Sequence, residues 1–348
     1  MLLPHSYQAA LTLMILSMLC WGSWPNTLKL CPRYRFQLYY WDFAIGMAIA
    51  ALALGFTAGS FGHSGPAFLS DVAATPAACI VYAIIGGAVF NVANLLLVAA
   101  IEVAGMAVAV PVGIGLALVI GAVSNYVIKP VGNPLLLFGG VALVVLAVFV
   151  DAAAYRKRET PNPERPAQRG DDTEIEAKSA TARGIFLSLA CGVFMGCFYP
   201  FVARALNGVP GRPTPGPYAV SLFFTIGLVI STVPANLLLM KKPLDGGPRV
   251  DGREYGRAPM GWHAAGVLGG AIWCVGGTAN FVASVAHFVG PAVSYSIGQG
   301  ATMVSALWGV FVWREFAGAP RVARLLLVLM FVFFLLGLGA VALAPLRT

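Results

Sequence analysis

The sequence reads Gly105-Met-Ala-Val-Ala-Val-Pro-Val-Gly-Ile-Gly115 in its first half and Gly290-Pro-Ala-Val-Ser-Tyr-Ser-Ile-Gly-Gln-Gly300 in its second. The two stretches are 185 residues apart, and five of their eleven positions carry the same residue. Both lie within long apolar runs. Two copies of one apolar motif, half a chain apart, predict two similar halves that pack together in a membrane.

The composition is that of a membrane protein. Hydrophobic residues make up 59% of the 348 residues and charged residues 10%, whereas soluble domains carry about 25% charged residues. A helix of roughly 20 apolar residues crosses a bilayer. Runs of about that length occur at 8–30, 36–59, 77–100, 103–127, 135–155, 184–206, 216–240, 261–285, 290–313 and 321–345. Because these runs lack the apolar–polar alternation of barrel strands, we expect an all-α polytopic membrane protein with ten transmembrane helices.

Further matches divide the ten helices into two sets of five. Phe43-Ala-Ile-Gly46 in the second helix matches Phe224-Thr-Ile-Gly227 in the seventh. Ile85-Gly-Gly-Ala88 in the third matches Leu268-Gly-Gly-Ala271 in the eighth. Since five is odd, the second set must cross the membrane in the opposite direction. The predicted plan is therefore a 5+5 inverted repeat, which is the plan of many secondary transporters.

Three segments follow from this plan. The first five-helix repeat is predicted at 1–155 and the second at 184–348. The segment 156–183 between them holds three prolines, many charges and almost no apolar residues. Such a composition buries too little apolar surface to fold, so we expect a flexible linker.

The basic residues predict the orientation. With the N-terminus outside, the cytoplasmic loops hold 18 of the 22 Lys and Arg residues, as the excess of positive charge in cytoplasmic loops requires. We therefore expect a multi-pass protein of the cell membrane, with both termini outside and the linker in the cytoplasm. The net charge of +8 then belongs to loops beside the lipid bilayer, and no nucleic-acid partner is expected. A cleaved signal peptide needs basic residues before its apolar segment, and no Lys or Arg precedes Lys29.

Asp42 is the chief ionisable residue inside a predicted helix. Charges within the membrane are expensive, about 2.5 to 3.5 kcal/mol at mid-helix, and often functional. One interpretation makes Asp42 a proton-coupling or substrate-ordering carboxylate, and the other makes it a structural ion pair with Arg33 or Arg35. Asp151 and Glu315 lie at helix ends among basic residues and are predicted to form surface ion pairs.

The candidate substrate-binding residues are flat aromatic and uncharged polar side chains near the expected midplane. They are Trp21, Trp24, Asn26, Asn91, Asn94, Tyr199, Trp273, Asn280, Tyr295 and Gln299. The alternatives are interfacial anchoring for the tryptophans and interhelical hydrogen bonds, worth about 0.6 kcal/mol each, for the polar residues. The set predicts a small-molecule site between the halves that contacts helices one, three, four, six, eight and nine.

The differences between the two copies of the opening motif predict two unlike cavity walls. Val110, Pro111 and Ile114 of the first copy would form an apolar wall. Tyr295 and Gln299, together with the intervening serine at 296, would form a hydrogen-bonding wall.

Four stretches resemble the plant ureide permeases and their bacterial relatives, which are often grouped with the glucose/ribose and rhamnose porters. These stretches are Leu16-Ser-Met-Leu-Cys-Trp-Gly-Ser-Trp-Pro-Asn-Thr27, Phe36 to Gly46, Gly86-Gly-Ala-Val-Phe-Asn-Val-Ala-Asn94 and Gly105 to Asn125. The ten-helix inverted repeat is similar to that of the drug/metabolite transporter superfamily. The resemblance implies import of ureides such as allantoin, or of uracil and oxopurines, together with protons. Plant members carry a nucleotide-binding-like motif in the central loop, and this chain lacks it.

Other functions stay open at this point. A sugar transporter of the glucose, ribose or rhamnose type, or a metabolite exporter, would have the same fold. A membrane-embedded enzyme would need clustered histidines or carboxylates, and the sequence offers isolated ones. No cofactor or metal is expected, since no phosphate-binding loop or metal-ligand spacing occurs.

Overall fold

The computed structural model describes residues 1–104, 106–158, 171–243 and 247–347. The described chain is helical, without strands. Its thirteen described α-helices are α1 (Tyr7–Ser23), α2 (Asn26–Lys29), α3 (Phe36–Phe56), α4 (Phe68–Ala74), α5 (Ala77–Ala104), α6 (Met106–Ile128), α7 (Pro134–Arg158), α8 (Asp171–Asn207), α9 (Pro217–Lys241), α10 (Met260–Ser284), α11 (Gly290–Gly298), α12 (Ala301–Leu307) and α13 (Arg321–Leu343). A π-helical turn, Trp308–Val312, continues α12.

Eight helical segments of the described chain are long and apolar enough to cross a membrane. They are Phe36–Phe56, Ala77–Ile101, Ala109–Ile128, Pro134–Arg158, Ala182–Asn207, Pro217–Lys241, Met260–Ser284 and Arg321–Leu346. These segments correspond to eight of the ten predicted runs. The prediction of a polytopic helical protein is confirmed to this extent.

The first and ninth predicted helices differ from the other eight because each is interrupted. α1 has 17 residues and ends before Pro25, whose ring removes a backbone N–H donor. Its continuation, α2, has four residues. The ninth run is divided at Gln299 and Gly300, between α11 and α12. Broken helices inside a membrane are tolerated where the freed backbone groups face protein or a cavity.

The backbones of α3 and α10 lie very close together where the two helices cross. A Cβ atom on Gly46 would lie 2.0 Å from the carbonyl oxygen of Val267, and one on Gly270 would lie 1.9 Å from that of Phe43. Only glycine, which has no Cβ, allows the two backbones to approach this far.

α5 and α9 repeat this contact. A Cβ on Gly87 would lie 1.9 Å from the carbonyl oxygen of Phe224, and one on Gly227 would lie 2.0 Å from that of Ile84. These positions are the counterparts, by the sequence matches above, of those that join α3 to α10. The two crossings are therefore built from matching residues of the two halves.

Both chain termini lie at one end of the bundle, which we call the terminus end. The amino group of Met1 donates to the carbonyl oxygen of Gly62. The hydroxyl of Tyr7, at the start of α1, donates to the carbonyl oxygen of Ala342, near the end of α13. Lys29, at the far end of α2, marks the opposite end, which we call the basic end.

Helices are described on both sides of residues 159–170, within the range predicted as a linker. α7 continues to Arg158, and α8 begins at Asp171. Residues 159–170 lie outside the described residues. The boundaries at 155 and 184 thus fall within helices, because charged side chains at helix ends can extend a helix beyond its apolar part.

Candidate functional site

The main cavity lies between the two halves and encloses about 250 Å³. Its lining comes from α1, α2, α5, α6, α7, α8, α10 and α12. These helices include all six that were predicted to surround a solute, and α7 is an addition. Six predicted residues line it: Trp21, Trp24, Asn26, Asn94, Trp273 and Gln299.

Aromatic rings form one part of the lining. Trp21 stacks on Trp273 with ring centroids 5.6 Å apart and planes 20° apart. Phe90 approaches Trp273 to 4.2 Å between centroids, and Trp24 packs on Phe43 outside the cavity. Stacked rings held in this way offer flat apolar faces to a planar solute.

Gln299 supplies an amide that is available for a solute. The residue is 8% exposed, and its side chain makes no hydrogen bond to any described residue. Its position explains why: the break between α11 and α12 places Gln299 beside the cavity. A buried amide without a protein partner is costly unless a ligand or water satisfies it.

The two asparagines of the lining differ in availability. Asn94 donates from Nδ2 to the hydroxyl of Tyr40 at 3.2 Å, which leaves its Oδ1 without a partner in the described part of the chain. Asn26 donates to the carbonyl oxygen of Ser23 at 3.0 Å and accepts from the indole of Trp313. Asn94 can therefore accept from a solute, whereas Asn26 is already bonded to protein.

The indole of Trp21 is a further polar group without a hydrogen-bond partner among the described residues. The indole N–H itself is buried. The unpaired amide groups of Asn94 and Gln299, beside the ring face of Trp21, match a small planar molecule with several amide groups.

Tyr199 and Asn280 were predicted to bind substrate, but they lie outside the main cavity. The Tyr199 hydroxyl donates to Asn280 Oδ1 at 2.6 Å and lies 2.9 Å from Ser294 Oγ. Asn280 Nδ2 donates to Ser17 Oγ at 3.1 Å. We call Ser17, Tyr199, Asn280 and Ser294 the closure network. It lies on the terminus-end side of Trp21 and Trp273.

Asn91 is also absent from the cavity lining. It accepts from the hydroxyl of Tyr40 at 2.8 Å and donates to Ser231 Oγ at 2.9 Å. Thr232 donates to the same Asn91 oxygen at 3.2 Å. Asn91 thus joins α3, α5 and α9 through interhelical hydrogen bonds, the alternative considered for it.

Tyr295 is fully buried between helices. Its hydroxyl is shared between the carbonyl oxygens of Ala117, at 3.1 Å, and Met195, at 3.3 Å. Its ring fills the space beside Gly121, where a Cβ would lie 2.2 Å away. Tyr295 therefore joins α6, α8 and α11 and does not line the main cavity.

Only one residue of the predicted hydrogen-bonding wall is present in the lining. Val110, Pro111 and Ile114 line the cavity, as the apolar wall requires. Gln299 lies on the other side, whereas Ser296 is buried elsewhere with an unpaired hydroxyl. A continuous helix would place residues 295, 296 and 299 on one face. α11 ends at Gly298, however, and only Gln299, at the break before α12, lines the cavity.

Asp42 is 2% exposed and lies away from the main cavity. It accepts hydrogen bonds from the hydroxyls of Tyr34 at 2.9 Å and Tyr255 at 2.6 Å, and its oxygens lie 3.0 and 3.1 Å from His263 Nδ1. Burial, together with the hydrogen bond to Asp42, raises the pKa of Tyr255 to about 12, so the phenol remains a donor. Asp42 joins the start of α3 to α10 and to the segment before α10.

The mouth of the cavity holds charged residues whose position was not predicted. Glu315 binds Lys29 Nζ at 2.7 Å and accepts from the hydroxyl of Tyr155 at 2.9 Å, and Arg158 lies 3.5 Å away. All but Arg158 line the cavity. Glu315 therefore forms the predicted ion pairs, and its partners, Lys29 and Arg158, are distant in sequence.

Asp151 lines the same part of the cavity, one helical turn from Tyr155. Its Oδ1 is buried and has no hydrogen-bond partner in the described chain. The predicted surface pair with the basic residues after it is therefore wrong. The sequence did carry a signal, since Asp151 lies within the apolar run 135–155 and precedes Tyr155 at the helical spacing of four.

Comparisons with known proteins agree with one another. A family model described as "Ureide permease" matches residues 39–183. The chain is 26% identical to Ureide permease 4 of Arabidopsis thaliana, with 96% of each chain covered. It is 25% identical to Ureide permease 2 of the same plant, again over 96% of each chain. The chain is thus similar to ureide permeases over nearly its whole length.

A solved crystal structure shows that the fold occurs elsewhere. It superposes with a TM-score of 0.61 at 18% sequence identity, and the match covers 95% of this chain and 98% of the other.

The range that matches the ureide permease model contains Asn94 and Asp151, whereas Trp21, Trp273 and Gln299 lie outside it.

Proposed function

We propose that the protein is a secondary active transporter that imports a small polar solute of the ureide type. The observation that carries the proposal is the main cavity, where stacked tryptophans adjoin unpaired amide groups between two halves of the chain. A ureide has a compact shape with alternating carbonyl and N–H groups, and it would pair with both kinds of group. The similarity to ureide permeases over nearly the full chain supports the same solute class.

The proposed architecture is a ten-helix 5+5 inverted repeat. The interrupted segments at α1–α2 and α11–α12 supply the first and ninth helices. The matching glycine crossings of α3 with α10 and of α5 with α9 support the two-fold relation. Transporters of this plan bind solute at the repeat interface and alternate access by moving one half against the other.

The proposed orientation places the terminus end outside the cell and the basic end in the cytoplasm. The excess of Lys and Arg in the loops of the basic end supports this orientation. The main cavity, with Lys29 and Glu315 at its mouth, would then open toward the cytoplasm, and the closure network would separate it from the outside. An alkaline phosphatase fused after residue 347 should be active, and one fused after residue 158 should be inactive; the opposite pattern excludes this orientation.

Proton coupling completes the proposal. A membrane potential contributes about 2.3 kcal/mol per charge per 100 mV, so one proton moving with a neutral solute supports roughly 50-fold accumulation at that potential. Asp42 is the carboxylate that the sequence suggested for this step. Its three hydrogen-bond donors fit the structural role equally well.

Uptake by cells that express the chain tests the proposal. Labelled allantoin, uracil, glucose and rhamnose are compared with and without a protonophore. Saturable allantoin or uracil uptake that the protonophore abolishes is the expected result. Uptake of glucose or rhamnose alone would favour the sugar transporter, and uptake of none, with the protein present in the membrane, would exclude import of these classes.

A further inference from the structure

Asp151 is an unpaired carboxylate on the wall of the main cavity. It lies within the span Pro134–Arg158, and its Oδ1 is buried without a hydrogen bond from any described residue. A carboxylate inside a membrane protein is expensive to bury unless it is paired or neutralised. Its place on the wall of a solute cavity calls for a functional explanation.

The cations nearest the mouth of the cavity are already engaged by another acid. Lys29 binds Glu315 Oε1 at 2.7 Å, and Arg158 lies 3.5 Å from Glu315 Oε2. The hydroxyl of Tyr155, one turn from Asp151, also donates to Glu315. Glu315 therefore forms the ion pairs with Lys29 and Arg158. Its own negative charge disfavours a second negative charge on Asp151.

Among the described side chains, the other elements packed around this part of α7 add no ionisable group that reaches Asp151. α13 carries Arg321 and Arg324, and both are exposed. α6 carries only Tyr126, which lies near the terminus end beside Gly132. α12 has no ionisable side chain. Neutralisation of Asp151 is thus left to a proton.

We infer that Asp151 is the carboxylate that binds and releases the coupled proton. This inference rests on the proposed function. Asp151 takes one proton from the outside together with the solute, crosses as a neutral acid, and releases the proton to the cytoplasm through the mouth of the cavity. One positive charge moves inward per cycle, and the carboxylate is regenerated.

Asp42 is less suited to this step. Three side chains already bind its two oxygens, and it does not line the cavity. A proton carrier must meet both the solute site and water, and only Asp151 of the two has that position.

The test compares Asp151→Asn with the wild type in proteoliposomes, with labelled allantoin and then uracil as probes. Asparagine resembles the protonated acid but cannot release a proton. We expect Asp151→Asn to lose accumulation driven by a pH gradient, to an inside-to-outside ratio of about 1, while exchange of labelled for unlabelled solute continues. Asp151→Glu should restore accumulation that is sensitive to protonophore.

One control variant and three contrary outcomes complete the test. Asp71→Asn alters another buried carboxylate, which binds the backbone N–H of Gly216 at the terminus end, and it should keep accumulation. Accumulation by Asp151→Asn equal to the wild type overturns the inference. Loss of both accumulation and exchange in Asp151→Asn and in Asp151→Glu also overturns it, because the residue would then serve binding or folding. A wild type that neither accumulates nor exchanges either probe overturns the proposed function itself, and the inference with it.

Discussion

Gln299 is the residue whose side chain is most directly available to a solute. Its amide is nearly buried in the cavity and bonded to none of the described residues. Replacing Gln299 with Ala should raise the KM of uptake about 3- to 10-fold, which corresponds to the loss of one hydrogen bond of roughly 0.5–1.5 kcal/mol. The measurement is concentration-dependent uptake, normalised to the amount of protein in the membrane.

The matched control is Gln8→Ala, which changes an exposed glutamine of α1 far from the cavity. Its KM should equal that of the wild type. An unchanged KM in Gln299→Ala would remove this amide from the solute site.

The sequence identified Gln299, Trp21 and Trp273 because polar or flat aromatic residues are conspicuous in apolar runs. The same criterion selected Asn91 and Tyr295, which make interhelical hydrogen bonds outside the main cavity. Whether a polar side chain meets a neighbouring helix or a cavity depends on the rotation of its helix in the bundle. The sequence of one helix does not fix that rotation.

At the scale of elements, the glycine crossings set the distance between helices. Gly46→Ala and Gly227→Ala should each destabilise the protein by about 1–3 kcal/mol, because the new methyl group would collide with a backbone carbonyl that cannot rotate away. Thermal unfolding of the purified protein in detergent measures the effect.

Gly139→Ala is the corresponding control within α7. A Cβ there meets nothing within 4 Å, and alanine favours a helix by about 1 kcal/mol over glycine. Its unfolding temperature should equal or exceed that of the wild type. Equal stability of all three variants would show that the crossings are looser than described.

Glu315 joins the end of α2 to α7, and this link predicts a dependence on pH. Burial raises the pKa of Glu315, but the hydrogen bonds from Lys29 and Tyr155 and the charges of Lys29 and Arg158 outweigh it and hold the pKa below its ordinary value. The stabilisation is therefore complete above the unfolded value, about 4.3, and is lost as the pH falls through the lower, folded value.

The comparison with Glu315→Gln isolates this contribution. The wild type should be more stable than the variant by about 1 kcal/mol at neutral pH. The difference should stay constant down to about pH 5 and shrink below about pH 4. A difference that grows on acidification would contradict the assigned contacts.

The elements themselves were largely predictable. Apolar runs located the eight spans because the bilayer demands a fixed length of apolar helix. The interruption of the first helix at Pro25 has a cause that is visible in the sequence, because proline lacks a backbone N–H donor. The charged turns that lengthen α7 and α8 beyond the apolar runs were not predictable from hydropathy, since they need no lipid contact.

At the scale of the whole molecule, the closure network holds the two halves together at the terminus end. Tyr199→Phe would leave Asn280 Oδ1 without its donor, at a cost of about 1–3 kcal/mol, and should favour opening toward the outside. We expect faster labelling of a Ser284→Cys reporter by an impermeant maleimide, in a chain otherwise free of cysteine. Ser284 lines a second cavity at the terminus end.

Tyr218→Phe provides the comparison for that experiment. Tyr218 also donates at the terminus end, to the carbonyl oxygen of Leu2 at 3.0 Å, but it lies outside the closure network. It should leave the labelling rate unchanged. Equal rates in both variants would exclude the network as a closing contact.

The proposed 5+5 plan rests on the internal sequence matches, and the glycine crossings support it. Gly46 and Gly227 are counterparts in the sequence matches, and a Cβ on each would meet a backbone carbonyl of the other half. The location of the cavity followed from the same plan. The charged mouth of the cavity was not predictable, because Asp151 on α7 and Glu315 in the turn before α13 are distant in sequence.

The closure network also has a thermal consequence. Under the proposed repeat, Tyr199 corresponds to Trp24, and the offset of 183 residues that relates the paired glycines of α5 and α10 relates Asn280 to Leu97. The contact at the terminus end is polar, whereas the corresponding contact at the basic end, formed when that end closes, would be mainly apolar. Apolar association is driven by entropy near room temperature and weakens on cooling. Warming should therefore populate the form that is open to the outside, and cooling should return the protein to the form described here.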